Sequence, residues 1–218
     1  MKLVERAAVA LVLADGIEAL ALDLDAQQHA RLLDYLELLS KWNAVYNLTS
    51  VRDPLQMVTH HLLDSLAAVP SFAQATNVLD VGAGGGLPGI VLAIARPAMH
   101  VSLIDTVHKK TAFLKQVKAE LGLSNVTVYT SQVQQLRVPQ PFDVITSRAF
   151  ADLSDFVAWS GHLLADGGQF IALKGVAPPN ERERLPAQWK VSRLQALRVP
   201  GLDAERHLVF IEKSDETN

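Results

Sequence analysis

The sequence predicts an α/β protein: a doubly wound, mostly parallel sheet of seven strands with a C-terminal antiparallel strand, preceded by a helical addition. Three observations carry this. Apolar residues before position 75 recur at helical spacing. From Asn77 onward, strand-like runs alternate with helix-like ones, which implies parallel pairing. The last two strand-like runs have no helix between them and are expected to pair antiparallel.

The elements follow in order. Ala7 to Ala14 is apolar and reads as a packed helix. Lys2 and Arg6 give it some likeness to a secretion signal, but Glu5 and the prompt Asp15-Gly16 break that pattern, and the run is too short to span a membrane. Between Gln28 and Leu48, the residues Leu32, Leu33, Leu36, Leu39, Trp42 and Tyr46 form one apolar stripe. Pro54 is placed to open another helix, which runs to about Val69 and stops at Pro70. Residues 1–75 are thus expected to be a helical extension, and residues 76–218 the core. Strands are expected at 77–81, 100–105, 126–130, 142–147 and 168–174, with helices at 88–95, 109–121 and 152–164. Trp189 to Val199 and His207 to Glu212 form the final pair, joined around Pro200-Gly201, and the last five residues read as a loose tail.

Composition bounds the function. The chain has 218 residues, 49% hydrophobic and 20% charged, as for a globular protein with room for one α/β domain and an added element. Cysteine is absent, which removes disulfides and thiolate metal sites and fits a reducing cytoplasm. The seven histidines show no metal-ligand spacing, so no metal is expected, and the short apolar N-terminal run leaves no membrane partner expected. A net charge of −3 means that any nucleic-acid contact must come from a local basic patch.

The segment from Asn77 to Ile90 is the most informative. An apolar run containing Asp80 leads into five glycines within residues 82–89, and a helix opens after Pro88. Such glycines allow a tight turn and close approach of a ligand. A carboxylate beside the turn would repel a pyrophosphate but suit a cation, such as the amine and sulfonium of S-adenosylmethionine. The second landmark is Asp105, which ends the next strand about 20 residues on. That spacing suits two ribose hydroxyls of an adenosine-bearing cofactor, nicotinamide or methyl donor alike. The structural alternative is that Asp105 merely caps the following helix.

Several further segments, in order along the chain, resemble the bacterial small-subunit ribosomal RNA methyltransferase G family, also called glucose-inhibited division protein B. They are Lys41 to Pro54, His61-Leu-Leu-Asp-Ser65, the glycine loop, Ser147-Arg-Ala-Phe150, Ala172-Leu-Lys-Gly175 and Gly201 to Leu208. The resemblance implies a class I S-adenosylmethionine-dependent methyltransferase fold. It also implies N7-methylation of one guanine in the 530 loop of 16S rRNA, presented as rRNA or as a small-subunit assembly particle. Carried over by position, it assigns Gly82 and Leu87 to the loop side of the donor, Val133 and Gln134 to the adenine, and Arg148 to closing the site. Gln134-Gln135 depart from the acidic residues expected of relatives, so backbone groups of Val133 and Gln134 are expected to share that contact.

Guanine N7 carries an exposed lone pair, so no general base is needed, and none is visible in the sequence. Positioning and electrostatics suffice, and no single catalytic residue is assigned. RNA is expected at Lys174, Arg206 and His207, with Arg52 and Arg148 as further candidates. Lys109, Lys110, Lys115 and Lys118 form a second cluster that could instead be a solvated helix face. Trp42, Tyr46 and Asn47 could stack on a base, although Trp42 lies on the apolar stripe. Three rivals stay open: a small-molecule methyltransferase, a nicotinamide oxidoreductase and a non-catalytic RNA-binding module.

Overall fold

The computed structural model describes residues 3–148, 150, 152–176 and 182–214. Helix α1 (Leu3–Ala19) buries Val9, Leu13 and Ile17, which makes the apolar N-terminal run a packed helix. Helix α2 (Ala26–Tyr46) starts two residues before the expected Gln28, because Asp25 and Gln28 form a reciprocal capping box. It ends where Asn47 takes a left-handed conformation. Asp53 caps α3 (Pro54–Met57), with Pro54 in its first turn. The continuous helix expected from there is interrupted. Val58–Leu63 is a π-helical stretch, followed by the short α4 (Asp64–Leu66).

Seven strands form one sheet: β1 (Asn77–Val81), β2 (His100–Asp105), β3 (Val126–Thr130), β4 (Phe142–Ser147), β5 (Leu164–Lys174), β6 (Trp189–Leu197) and β7 (Arg206–Lys213). Their spatial order is β3-β2-β1-β4-β5-β7-β6. Strands β1 to β5 pair in parallel, and β7 inserts antiparallel between β5 and β6. Strand β5 begins four residues earlier than expected, because Leu164 already pairs with Phe142 ahead of a register shift. Helices α5 (Gly89–Ala95), α6 (His108–Glu120) and α7 (Leu153–Ser160) supply the covering layers.

Two buried clusters sandwich the sheet. One runs from Val9 through Leu36 and Ile90 to Phe210, so the N-terminal helices share a core with α5 and α6. The other joins Leu79, Phe156, Phe170 and Trp189 beneath α7. No described helix is long and apolar enough to cross a membrane. Of the five-residue tail, Ser214 is tied to Gln188, and residues 215–218 lie outside the described residues.

Candidate functional site

The strand order reverses between β1 and β4, and the carboxyl ends of the strands diverge there to leave a crevice. Two neighbouring cavities occupy that edge. The first, about 620 Å³, is lined by Val81 at the end of β1 and Gly82 after it, Ile104 and Asp105 at the end of β2, Val133 and Gln134 after β3, and Phe150 beyond β4. Its size is ordinary for a cofactor site.

The glycine loop is built by backbone chemistry. Gly82, Gly84 and Gly86 have φ of 70°, 54° and 90°, the left-handed region where a side chain is strained. The Gly82 and Ala83 amides donate to the Ile104 carbonyl at 2.9 and 3.0 Å, which binds the loop to β2. The Gly84 amide donates to Asp105 Oδ2 at 3.1 Å. From the helical layer, the buried Tyr35 hydroxyl donates to the Gly85 carbonyl at 2.6 Å. Tyr35 was not singled out in the sequence, so its grip on the loop was missed.

Asp105 does not cap α6, whose N-cap is Val107 with no side-chain cap bond; it bonds the turn that leads into the helix. Its Oδ1 accepts from the Val107 amide at 2.9 Å, where α6 begins, and Lys110 Nζ lies 3.6 Å from Oδ2. The carboxylate also lines the first cavity. Asp152 and Asp155 lie across the cavity beside Trp159, and Lys110 is the one basic residue among the described lining. The Ser154 amide and hydroxyl hold the Asp152 carboxyl below the ordinary range, which keeps it ionised. Apolar walls of Val81, Ile104, Val133, Phe150 and Trp159 with an acidic rim fit an adenosine-bearing cation.

Asp80 does not supply that acidity directly, contrary to the expectation drawn from its place before the loop. It is fully buried and absent from the cavity lining. Its Oδ2 accepts from the Gly89 amide at 2.9 Å, at the start of α5. Burial pushes its carboxyl up to about 7. A raised carboxyl favours the folded state while protonated, so that contribution is lost as pH rises from about 4 through about 7. Asp80→Asn is therefore expected to gain stability relative to the parent across that window and to level off above it. Denaturant titrations at several pH values check this, and a difference independent of pH would refute it.

Leu87 is buried in the core beneath the loop rather than on the cavity wall, so its side chain packs. Arg148 likewise does not line the first cavity. It lines the second, about 380 Å³, together with Lys174, Arg206, His207, His60, His61 and Asp64. The antiparallel insertion of β7 explains this grouping. It sets His207 opposite Lys174, so the start of β7 meets the carboxyl ends of β4 and β5. Lys174 Nζ donates to the Phe150 carbonyl at 3.0 Å, and His207 Nδ1 to the Gly175 carbonyl at 3.0 Å. Asp64 was missed in the sequence; an acid within an apolar helical stretch was the available signal.

Of the other candidates, only Lys110 lines either cavity. Trp42 packs on Phe113 and Tyr46, with ring centroids 5.5 and 4.9 Å away, and belongs with the core. The Asn47 side-chain Oδ1 accepts from exposed Arg52. On α6, Lys110 joins the first cavity, while Lys109 and Lys115 are exposed and Lys118 is half-buried. Among the described residues, no group of three or more His, Asp or Glu is arranged to hold a metal.

Comparison with known proteins decides the family. A family model described as rRNA small subunit methyltransferase G matches residues 28–209. The chain belongs to that family. Ribosomal RNA small subunit methyltransferase G of Janthinobacterium sp. (strain Marseille) is 67% identical, over 98% of this chain and 99% of its own length. The protein of the same name from Herminiimonas arsenicoxydans is 66% identical, over 98% and 100%. The fold is the class I methyltransferase fold. An O-methyltransferase from Bacillus cereus in complex with SAH superposes with a TM-score of 0.56 at 20% identity, over 83% of this chain and 91% of that one. As a methyltransferase G family member, the chain is an S-adenosylmethionine-dependent methyltransferase.

Proposed function

We propose that the chain methylates N7 of a guanine in the 530 loop of 16S rRNA, acting in the cytoplasm on rRNA or a small-subunit assembly particle. The observation that carries this reading is the division of charge between adjacent cavities. Acidic Asp105, Asp152 and Asp155 rim the first, and basic Arg148, Lys174 and Arg206 line the second. A cationic methyl donor suits the first, and a polyanionic substrate suits the second.

In this reading Gly82, Asp105, Val133 and Gln134 hold the donor, with Asp105 facing the ribose and residues 133–134 the adenine. When bound, the donor supplies an electrophilic methyl group on a sulfonium. The protein's part is to hold guanine N7 in line, to keep water out with Phe150 and Trp159, and to grip the backbone at Arg148, Lys174, Arg206 and His207. N7 needs no deprotonation, so this reading assigns no general base. Loss of N7-methylguanosine from 16S rRNA on deletion of the gene, restored by complementation, is the expected result. An unchanged 16S rRNA would overturn the reading.

Lys174 lines the second cavity and not the first. Lys174→Ala is expected to leave donor affinity within about twofold and to weaken RNA binding. The slope of log affinity against log salt should fall by about 1, for one phosphate contact removed. Calorimetry with the donor and RNA titrations at several salt concentrations check this. Loss of donor binding with an unchanged salt slope would move Lys174 to the donor site.

A further inference from the structure

Between the two arginines of the basic cavity sits a buried carboxylate, Asp64. Asp64 is 3% exposed. Its Oδ1 accepts from Arg206 Nε at 2.7 Å, and its Oδ2 from Arg148 Nη1 at 3.2 Å. Arg148 Nη1 also donates to the His60 carbonyl at 3.2 Å. Asp64 follows directly on the π-helical stretch Val58–Leu63, whose wider turn shifts the phase of the helix beyond it. Three distant parts of the chain thus meet at one acid: the helical layer, the end of β4 and the start of β7.

Two guanidinium groups on one cleft repel each other and carry many rotamers. A buried acid that engages each through a separate oxygen removes both difficulties. The Arg148 and Arg206 side chains remain 30% and 24% exposed, so both still face the cleft. We propose that Asp64 is a positioning residue that holds Arg148 and Arg206 preorganised for the RNA backbone. This rests on the reading of the second cavity as the RNA site. Asp64 itself does not contact RNA, since a buried carboxylate would repel phosphate.

A purely structural acid and a positioning acid differ in what their loss does. If Asp64 only stabilised the fold, its loss would lower the melting temperature and weaken donor and RNA together. If it positions the arginines, its loss weakens RNA alone. The test measures methyl transfer to deproteinised 16S rRNA at saturating donor, with donor affinity by calorimetry and thermal melting alongside. Asp64→Ala and Asp64→Asn are expected to raise the KM for rRNA about tenfold or more, with kcat within about threefold and donor affinity within about twofold. Asn serves poorly because one carboxylate oxygen becomes an amide donor facing a guanidinium. Asp64→Glu should recover most of the loss. Adding Asp64→Ala to Arg206→Ala should cost less than the two separate losses combined, because both act through one contact.

If Asp64→Ala does not fold, the Asn and Glu variants decide. An Asp64→Asn enzyme with the parent KM for rRNA overturns the inference, as does a loss shared equally by donor and RNA. A parent protein that binds the donor but transfers no methyl to 16S rRNA, either deproteinised or within a small-subunit particle, overturns the RNA reading and this inference together; where only the particle is a substrate, the KM comparison is made on it. Normal transfer by the parent with an unmoved KM in Asp64→Asn overturns the inference alone.

Discussion

Asp105→Ala is expected to weaken S-adenosylmethionine by about 1.5–3 kcal/mol, roughly tenfold to a hundredfold or more in Kd. Two losses combine. The ribose hydroxyls lose a charged acceptor at the end of β2, and the loop loses the bond from the Gly84 amide to Oδ2. The Val107 amide at the start of α6 also loses its acceptor, so a modest drop in melting temperature accompanies the affinity loss. Asp105→Asn separates the parts, because it keeps an acceptor for one backbone amide but removes the charge. Calorimetry on both variants checks the expectation. Parent affinity in Asp105→Ala would reduce the residue to holding the Gly84 and Val107 amides.

Gly89→Ala is expected to destabilise the fold by about 3 kcal/mol or more, near the upper end for overpacking a buried site. A methyl group there would overlap Leu103 of β2 and lie 2.7 Å from Asp80 Oδ2. Both neighbours are buried and cannot move aside cheaply. For a chain of this length the melting temperature should fall by roughly 6–12 °C. Gly122→Ala is the control. Gly122 has φ of 61° with nothing within 4 Å of an added methyl, so it reports backbone strain without crowding, about 1–2 kcal/mol. Thermal melts that rank Gly122→Ala as the more damaging variant would refute the crowding argument.

This contrast refines what the glycine cluster means. As a string of letters, the five glycines in residues 82–89 all read as room for a ligand. In the fold they divide by task. Gly82, Gly84 and Gly86 make the turn through positive φ, Gly89 lets α5 pack against β2, and only Gly82 reaches the cavity wall. Asp80 shows the same limit. Its place before the loop was plain, but the direction of its side chain was not, and it points to the Gly89 amide under the loop.

What the sequence determined by itself was whatever depends on neighbours in the chain. Apolar spacing set α1, α2 and the alternation of strands and helices. Asp53 with Pro54, and the glycines after β1, fixed where elements begin and turn. The spacing from the loop to Asp105 placed an acid at the end of β2, since successive parallel strands set their carboxyl ends on one edge. Tertiary structure alone decided which distant residues meet there. Asp64 lies 84 residues from Arg148 and 142 from Arg206, and no local period links them. Their meeting depends on the π-helical shift before Asp64 and on β7 entering antiparallel beside β5. Arg148 therefore faces the basic cleft rather than the donor cavity. The physical reason is that side-chain periodicity is written into each short segment, whereas strand order and packing arise from the whole core closing at once.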